Sequence, residues 1–163
     1  MSLKNKNVFI TGVSGFVGSY MAKHLLNEGA NVFGFVRRRA DGSMPQNIRF
    51  LDLESTIELL EGDIRDISSV AYALEQSKPD LVFHFAAQSF IPSSFYSPNE
   101  AMDVNCMGTA NLLEAIRSNE LDPVIVFAGS SEEYGLTFVT DSQYHGIRDI
   151  INDQLNYYSI PGR

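Results

Sequence analysis

The pattern of apolar and polar positions alternates along this chain between strand-like and helix-like segments. This pattern predicts a sheet whose strands are joined by crossover helices. From the first residues onward, each short apolar run of strand length is followed by a helix-like or a polar segment. Alternation of this kind is typical of a parallel sheet whose strands are joined by helices. The predicted strands are Val8–Thr11, Asn31–Val36, Ile57–Glu61, Leu81–Phe85 and Val124–Ala128. The sequence therefore predicts an α/β fold with a doubly wound parallel sheet of about five strands.

Helices are predicted where apolar residues recur every three to four positions. The predicted helices are Gly15–Glu28, Asp66–Ser77 and 97–118. Gly29 is suited to end the first helix, and Asp66 can cap the second. Ser97 and Glu100 predict a capping box at the start of the third. The polar stretch 37–55 is predicted to be a long loop in place of a full helix.

Composition limits the classes of protein to consider. The 163 residues are 44% hydrophobic and 20% charged, which is typical of one globular domain. A net charge of −8 argues against a nucleic-acid partner, because such partners need a basic surface. The longest apolar run, Leu81–Ala87, is too short to cross a membrane, and the start does not resemble a secretory signal. We therefore expect a cytoplasmic protein in which the single cysteine, Cys106, is a buried thiol.

Three glycines stand where the first predicted strand meets the first predicted helix. Glycines in this position let the backbone approach a pyrophosphate, and the helix N-terminus offers unpaired N–H groups. The alternative interpretation is a purely structural tight turn. The context of strand, glycine loop and helix favours a Rossmann-type dinucleotide site. The cofactor-binding residues predicted in this loop are Gly12, Ser14, Gly15, Phe16, Val17 and Gly18.

The end of the second strand carries arginines where an NAD site would have an acid. Val36 is followed by Arg37, Arg38 and Arg39. Guanidinium groups bind phosphate in a bidentate fork, whereas a carboxylate would repel it. Arg37 and Arg38 therefore predict NADP as the cofactor, with NAD less favoured. The alternative is a solvated basic loop without a ligand.

Further candidates follow the third and fourth strands, because ligands bind at the carboxyl ends of parallel strands. A carboxylate follows the third strand, and small residues follow the fourth, where the backbone can pass close to a flat cofactor. The cofactor contacts predicted there are Asp63, Ile64, Ala86, Ala87 and Ser89. His84 is interpreted as a hydrogen-bonded core histidine, since no second metal ligand stands at a suitable spacing. No metal site is predicted.

A hydroxyl and a carboxylate follow the fifth strand two residues apart. Ser130 and Glu132 could both reach a reacting sugar, one as a hydrogen-bond donor and one as an acid or base. The spacing of the two residues therefore indicates a candidate catalytic pair.

Five segments together give a specific resemblance. In chain order they are GVSGFVG, GDIRD, HFAAQS, DVNCMGTANLLEA and SSEEYG. These segments resemble the extended short-chain dehydrogenase/reductase family. Within it, VRRR after the second strand, AAQS and the Ser-Ser-Glu-x-Tyr-Gly arrangement are most similar to GDP-mannose 4,6-dehydratases. The resemblance implies a nucleotide-sugar substrate, with Ser130 as the catalytic hydroxyl and Glu132 as the catalytic glutamate. It also implies an NADP-dependent dehydration, since epimerases and reductases of the family usually lack that glutamate.

The same resemblance identifies what the chain lacks. The family's Tyr-x-x-x-Lys motif is absent, and Tyr144 and Arg148 have its spacing without the lysine. We therefore expect an NADP-binding domain at 1–135, an unassigned tail at 136–163 with one possible helix, and no C-terminal substrate domain. The alternatives are a truncated relative that binds NADP without turnover, or an epimerase or reductase. A homodimer through the helix 97–118 is a further expectation.

Overall fold

The computed structural model describes residues 2–130, in which strands and helices follow one another as the pattern predicts. The strands are β1 (Asn7–Thr11), β2 (Asn31–Val36), β3 (Glu58–Glu61), β4 (Leu81–His84) and β5 (Val124–Phe127). The helices are α1 (Phe16–Asn27), α2 (Gln46–Phe50), α3 (Ile67–Ser77), α4 (Ile91–Tyr96), α5 (Pro98–Met102) and α6 (Gly108–Ser118). A π-helical segment, Asp103–Met107, joins α5 to α6. Across residues 2–130, no helix combines the length and apolar character needed to span a bilayer.

The five strands form one parallel sheet in the order β3-β2-β1-β4-β5. Val8 of β1 is in register with Val32 of β2 on one side and with Leu81 of β4 on the other. The strand order therefore reverses between β1 and β4. In open parallel sheets, ligands bind outside the carboxyl ends of the strands at this reversal. The predicted Rossmann-type, doubly wound sheet of five strands is confirmed.

Helices cover both faces of the sheet because the central strands are apolar on both sides. Along β1, Val8 and Ile10 belong to one buried cluster, together with residues of α1 and α2. Phe9, between them, belongs to a second cluster with residues of α3 and α6. Alternate side chains of a strand point to opposite faces, so a central strand needs apolar residues at every position.

The chain divides into two compact units. The first, Met1–Ala128, contains the whole sheet and its helices, and the second is Gly129–Arg163. The domain boundary predicted at residue 135 and the possible helix in 136–163 lie outside the described residues, so both stay predictions.

The predicted loop 37–55 is wrong in part, since it contains the short helix α2. Ile48 of α2 is fully buried, and Leu51 and Leu53 behind it join the same cluster as α1. The helix has only five residues, of which Ile48 alone is buried, so it is too short to show a helical repeat in the sequence. The helix covers one face of the sheet near the glycine loop.

The predicted helix 97–118 is interrupted and its predicted cap is wrong. Ser97 makes no side-chain cap hydrogen bond, and the π-helical segment divides the helix. Cys106 lies in that segment and is exposed, so the expected buried thiol is also wrong. By contrast, Asp66 caps α3 as predicted, because its carboxylate accepts a hydrogen bond from Ser68 N at 3.0 Å.

Candidate functional site

The glycine loop begins at Gly12, where the chain leaves β1 in a conformation that favours glycine. Gly12 has φ +70°, and a Cβ atom there would lie 2.7 Å from both Ala86 N and Phe85 C. An L side chain would therefore be strained and would also collide with the loop that follows β4. The close approach brings the predicted residues Gly12 and Ala86 together at the carboxyl edge of the sheet.

The other two glycines have different tasks. A Cβ atom on Gly18 would lie only 2.4 Å from Gly12 O, so Gly18 lets the first turn of α1 pack against the loop. Gly15 is exposed, and its Cβ atom would meet a single neighbour, Gly12 O, at 3.3 Å. This division matches the tight turn, the close ligand approach and the helix packing that a dinucleotide fingerprint requires.

The first turn of α1 offers backbone donors to an anion. Gly15 is the N-cap residue and supplies no side-chain hydrogen bond. The first N–H groups of a helix have no partner within the helix, and the helix dipole makes this end positive. Phe16 and Val17, both predicted cofactor contacts, are exposed in this turn. The arrangement can hold a pyrophosphate above Gly15.

Helix α2 supports the glycine loop from the side. Asn47 Nδ2 donates a hydrogen bond to Ser14 O at 2.8 Å. Ser14 was predicted from its place in the fingerprint, whereas Asn47 was missed because the segment around it was expected to be a loop. The contact fixes the loop conformation without using the outward N–H groups of α1.

A cavity of about 260 Å³ lies beyond the ends of β2 and β3. The residues that line it include Arg37, Arg39, Gly42 and Glu61. Arg38 is 81% exposed, and its Nε lies 3.9 Å from Glu61 Oε2. Two of the three arginines thus line the cavity, and Arg39, left out of the predicted pair, is one of them. Such a basic wall can hold a phosphate group.

Asp63 and Ile64 follow β3, but the Asp63 carboxylate already has a partner. Its Oδ2 accepts a hydrogen bond from Arg65 Nη2 at 2.6 Å, and its Oδ1 accepts one from Arg65 Nε at 3.0 Å. The hydrogen bond from Arg65 lowers the pKa of Asp63, and the charge of Arg37 acts in the same direction. Ile64 is buried, and its backbone O already accepts a hydrogen bond from Asn111 Nδ2 at 3.0 Å.

His84 is the centre of a buried hydrogen-bond network at the end of β4. Its Nδ1 lies 2.7 Å from Thr11 Oγ1 and its Nε2 lies 3.0 Å from Thr109 Oγ1. Thr109 donates its own proton to Asn105 O, so it accepts from His84 Nε2–H. Thr11 then donates to Nδ1. The bonding assigns a neutral ring protonated on Nε2, and burial lowers the pKa of His84 accordingly.

Thr11 connects this network to the loop after β4. Its Oγ1 accepts hydrogen bonds from Phe85 N at 3.2 Å and from Ala86 N at 3.1 Å. The prediction of a hydrogen-bonded core histidine is confirmed. Within residues 2–130, no group of three or more His, Cys, Asp or Glu side chains could hold a metal ion.

Asn105 is a site residue that the sequence analysis missed. Its Oδ1 accepts a hydrogen bond from Gln88 N at 2.8 Å, and its Nδ2 donates to Gln88 O at 3.2 Å. This two-way contact fixes the backbone between the predicted residues Ala87 and Ser89. The only signal was its presence in the DVNCMGT segment, which the periodicity assigned to an ordinary helix. Asn105 lies in the π-helical segment, a feature that is frequent at functional sites.

The two predicted catalytic residues fall beyond the sheet unit. Ser130 is the last described residue and belongs to the second unit. Glu132 lies outside the described residues. Their roles therefore stay predictions.

Comparisons with known proteins agree with this architecture. The family model described as GDP-mannose 4,6 dehydratase matches residues 9–144. A GDP-mannose 4,6-dehydratase of Vibrio cholerae is 40% identical over 138 residues, covering 80% of this chain and 37% of the relative. A CDP-glucose 4,6-dehydratase of Salmonella typhimurium is 35% identical over 114 residues, covering 70% of this chain and 31% of the relative.

A solved structure gives the same result for the fold. The Bordetella bronchiseptica enzyme WbmH in complex with NAD⁺ aligns with a TM-score of 0.66 and 27% identity, covering 96% of this chain and 54% of that chain. The chain thus spans a little over a third of the length of the Vibrio relative and about half of this solved structure.

Proposed function

We propose a function from the premise that this chain belongs to the GDP-mannose 4,6-dehydratase family, whose model matches residues 9–144. The chain carries the cofactor-binding part of a sugar-nucleotide 4,6-dehydratase and binds NADP. Because it spans only 37% of the Vibrio relative, the activity of the whole enzyme is part of the proposal.

The observation that supports the proposal most strongly is the difference in surroundings among the three glycines of the loop. Gly12 and Gly18 are closed in by backbone, whereas Gly15 is exposed at the N-terminus of α1. A purely structural tight turn has no need for an outward glycine beside unpaired N–H groups. A pyrophosphate needs both, because its oxygens must come within hydrogen-bond distance of the backbone.

NADP is favoured over NAD by the basic wall of the cavity. Arg37 and Arg39 line the space beyond β2, where the adenosine ribose of a dinucleotide lies in a doubly wound sheet. Guanidinium groups there would hold a 2′-phosphate. Asp63 and the backbone of Ile64 would lie beside the adenine, and Ala86, Ala87 and Ser89 would lie beside the nicotinamide half.

The proposed reaction is the conversion of GDP-mannose to GDP-4-keto-6-deoxymannose. When bound, the dinucleotide would accept a hydride from C4 of the sugar and return it to C6. By the resemblance, Ser130 would donate a hydrogen bond to the 4-oxygen. Glu132 would remove the C5 proton, which the 4-ketone acidifies, and protonate the leaving hydroxyl of C6 so that water departs. A similar chain is named a CDP-glucose 4,6-dehydratase, so the base and the sugar of the proposed substrate rest on the resemblance to GDP-mannose 4,6-dehydratases.

The alternative is a nucleotide-binding chain without turnover, and one feature of the sequence favours it. Oxidation of the 4-hydroxyl needs a base whose pKa is near neutral. The Tyr-x-x-x-Lys motif that supplies this base in the family is absent from the 163 residues. An unperturbed tyrosine has a pKa of about 10, which leaves little phenolate at pH 7. An epimerase or reductase of the same family would also need this base, so it is no better supported.

Incubating the 163-residue chain with NADP and GDP-mannose, followed by mass spectrometry of the sugar nucleotide, separates enzyme from binding module. We expect bound NADP and no 4-keto-6-deoxy product, because general acid–base groups contribute about 10²- to 10⁴-fold each. Multiple turnovers would contradict that expectation and would direct attention to Tyr144 and Arg148 as the base and its cation. A chain that binds no dinucleotide would overturn the proposed function itself.

A further inference from the structure

An acidic residue stands among the arginines of the cavity beyond β2 and β3. Glu61 is the last residue of β3, and it is in register with Val36, the last residue of β2. Both residues line the cavity together with Arg37 and Arg39. Glu61 therefore lies one strand away from the position at which NAD sites commonly have their ribose-binding acid.

The Glu61 carboxylate is only weakly neutralised. Its Oε2 is 3.9 Å from Arg38 Nε, and both side chains are well exposed, at 61% and 81%. Long exposed ion pairs of this kind contribute little, because solvent screens them and the side chains stay mobile. Arg39 has its own acidic neighbour, since its Nε is 3.6 Å from Asp41 Oδ1. The cavity wall thus presents both signs of charge.

The two signs act differently on the two dinucleotides. A free 2′-hydroxyl is a hydrogen-bond donor that a carboxylate can accept, whereas a 2′-phosphate is an anion that the same carboxylate repels. The arginines have the opposite preference. The balance between Glu61 and the arginines, and not the arginines alone, should then set the selectivity.

We infer that Glu61 is a cofactor-specificity residue: its carboxylate accepts the 2′-hydroxyl of NAD and opposes the 2′-phosphate of NADP, so that the cavity admits both. The inference rests on the proposed function, because it needs a dinucleotide at the glycine loop. It predicts that the natural chain prefers NADP only moderately.

The test is the ratio of the dissociation constants of NAD and NADP, measured by calorimetry on the 163-residue chain and on E61Q. The substitution keeps the side-chain size and removes the negative charge. We expect the preference for NADP to rise about tenfold, because a charge facing a phosphate in a solvent-exposed site changes binding by roughly this factor. NADP should bind more tightly and NAD more weakly.

The matched control is E58Q, which removes the same charge from the first residue of the same strand. Three residues of β-strand separate the positions by about 10 Å, so E58Q alters the net charge without altering the cavity. An unchanged ratio in E61Q, or an equal change in E58Q, would overturn the inference while the proposed function stands. Binding of neither dinucleotide by the natural chain would overturn both.

Discussion

At the residue scale, the three glycines of the loop differ in what a side chain would meet. A Cβ atom on the exposed Gly15 would meet only Gly12 O, at 3.3 Å, whereas a Cβ atom on Gly18 would lie 2.4 Å from that same oxygen. The sequence pattern predicted all three positions but could not rank them, because the clash distances depend on how α1 packs against the loop.

Gly15→Val should abolish dinucleotide binding and leave the fold largely intact. The added side chain would occupy the space through which the pyrophosphate approaches, while Gly12 O has to move by only a few tenths of an ångström. Calorimetric titration with NADP and thermal unfolding of the same sample measure the two effects.

Gly18→Ala provides the contrast, since its Cβ atom would collide with fixed backbone. We expect the free energy of unfolding to fall by about 1–3 kcal/mol, as for other overpacked sites.

Normal NADP binding by Gly15→Val would show that the loop is only a structural turn.

His84 should make the stability of the fold depend on pH. Burial lowers its pKa in the folded chain, so the unfolded chain takes up the proton first as pH falls. The stability that this residue contributes is complete above about pH 6.5, the unperturbed value, and is lost as pH falls toward the lower pKa of the folded state. Protonation would also put a second donor on Nδ1, opposite the Thr11 hydroxyl that donates to it.

Urea unfolding at pH 7.5 and pH 5.5 tests this account. The natural chain should lose stability with a slope of up to about 1.4 kcal/mol per pH unit from this group, and His84→Gln should lose that part of the slope. His24→Gln, which changes an exposed ring on α1, serves as the control. A pH dependence that His84→Gln leaves intact would refute the role given to the buried ring.

At the element scale, the interrupted helix from Pro98 to Ser118 braces the loop after β4. Asn105 holds the backbone of Gln88 by two hydrogen bonds, and Thr109 holds His84 one turn later. Both contacts lie at the reversal of strand order between β1 and β4, on the side where the nicotinamide half would bind. The helix thus holds the loop after β4 in place as well as covering the sheet.

Asn105→Ala should weaken the binding of NADP more than the binding of ADP. The substitution frees the loop at Gln88 but leaves the glycine loop, which would hold the pyrophosphate of both ligands. We expect a stability loss of about 1–3 kcal/mol from two lost hydrogen bonds, with a clear rise in the dissociation constant of NADP.

Asn119→Ala is the matched control, because Asn119 Nδ2 donates a hydrogen bond to Ala71 O at 2.8 Å on α3 and makes no contact with the loop after β4. It should lose stability without a selective effect on NADP. Equal losses of ADP and NADP binding in Asn105→Ala would show that the residue supports the fold alone.

The elements themselves were predicted well where the pattern is strong. β2 was predicted with its observed bounds, and α3 with its cap at Asp66, because buried strands and helix caps are local signals. α2 was missed because it is only five residues long and buries a single residue, Ile48, which is too little for a helical repeat. The π-helical segment was missed, since the residue pattern over 97–118 was interpreted as one continuous helix.

At the scale of the whole molecule, the arginines of the cavity wall form a local basic region in a protein whose net charge is −8. The arginines were predicted as an anion site because they directly follow the second predicted strand, and this prediction required no knowledge of the sheet. Glu61 was not predicted as part of the site, because its closeness to the arginines follows from the pairing of β2 with β3. The arginines could thus be predicted from the sequence, whereas the closeness of Glu61 to them depends on the sheet.

The membership of the family and the folded sheet together make dinucleotide binding the central claim for this chain. The direct test is calorimetric titration of the purified 163-residue chain with NADP and, separately, with NAD. We predict one site per chain, with NADP bound more tightly and with most of that preference lost in Arg37→Ala. Equal affinity or a preference for NAD would contradict the role of the arginines, and the absence of binding to either dinucleotide would contradict the account as a whole.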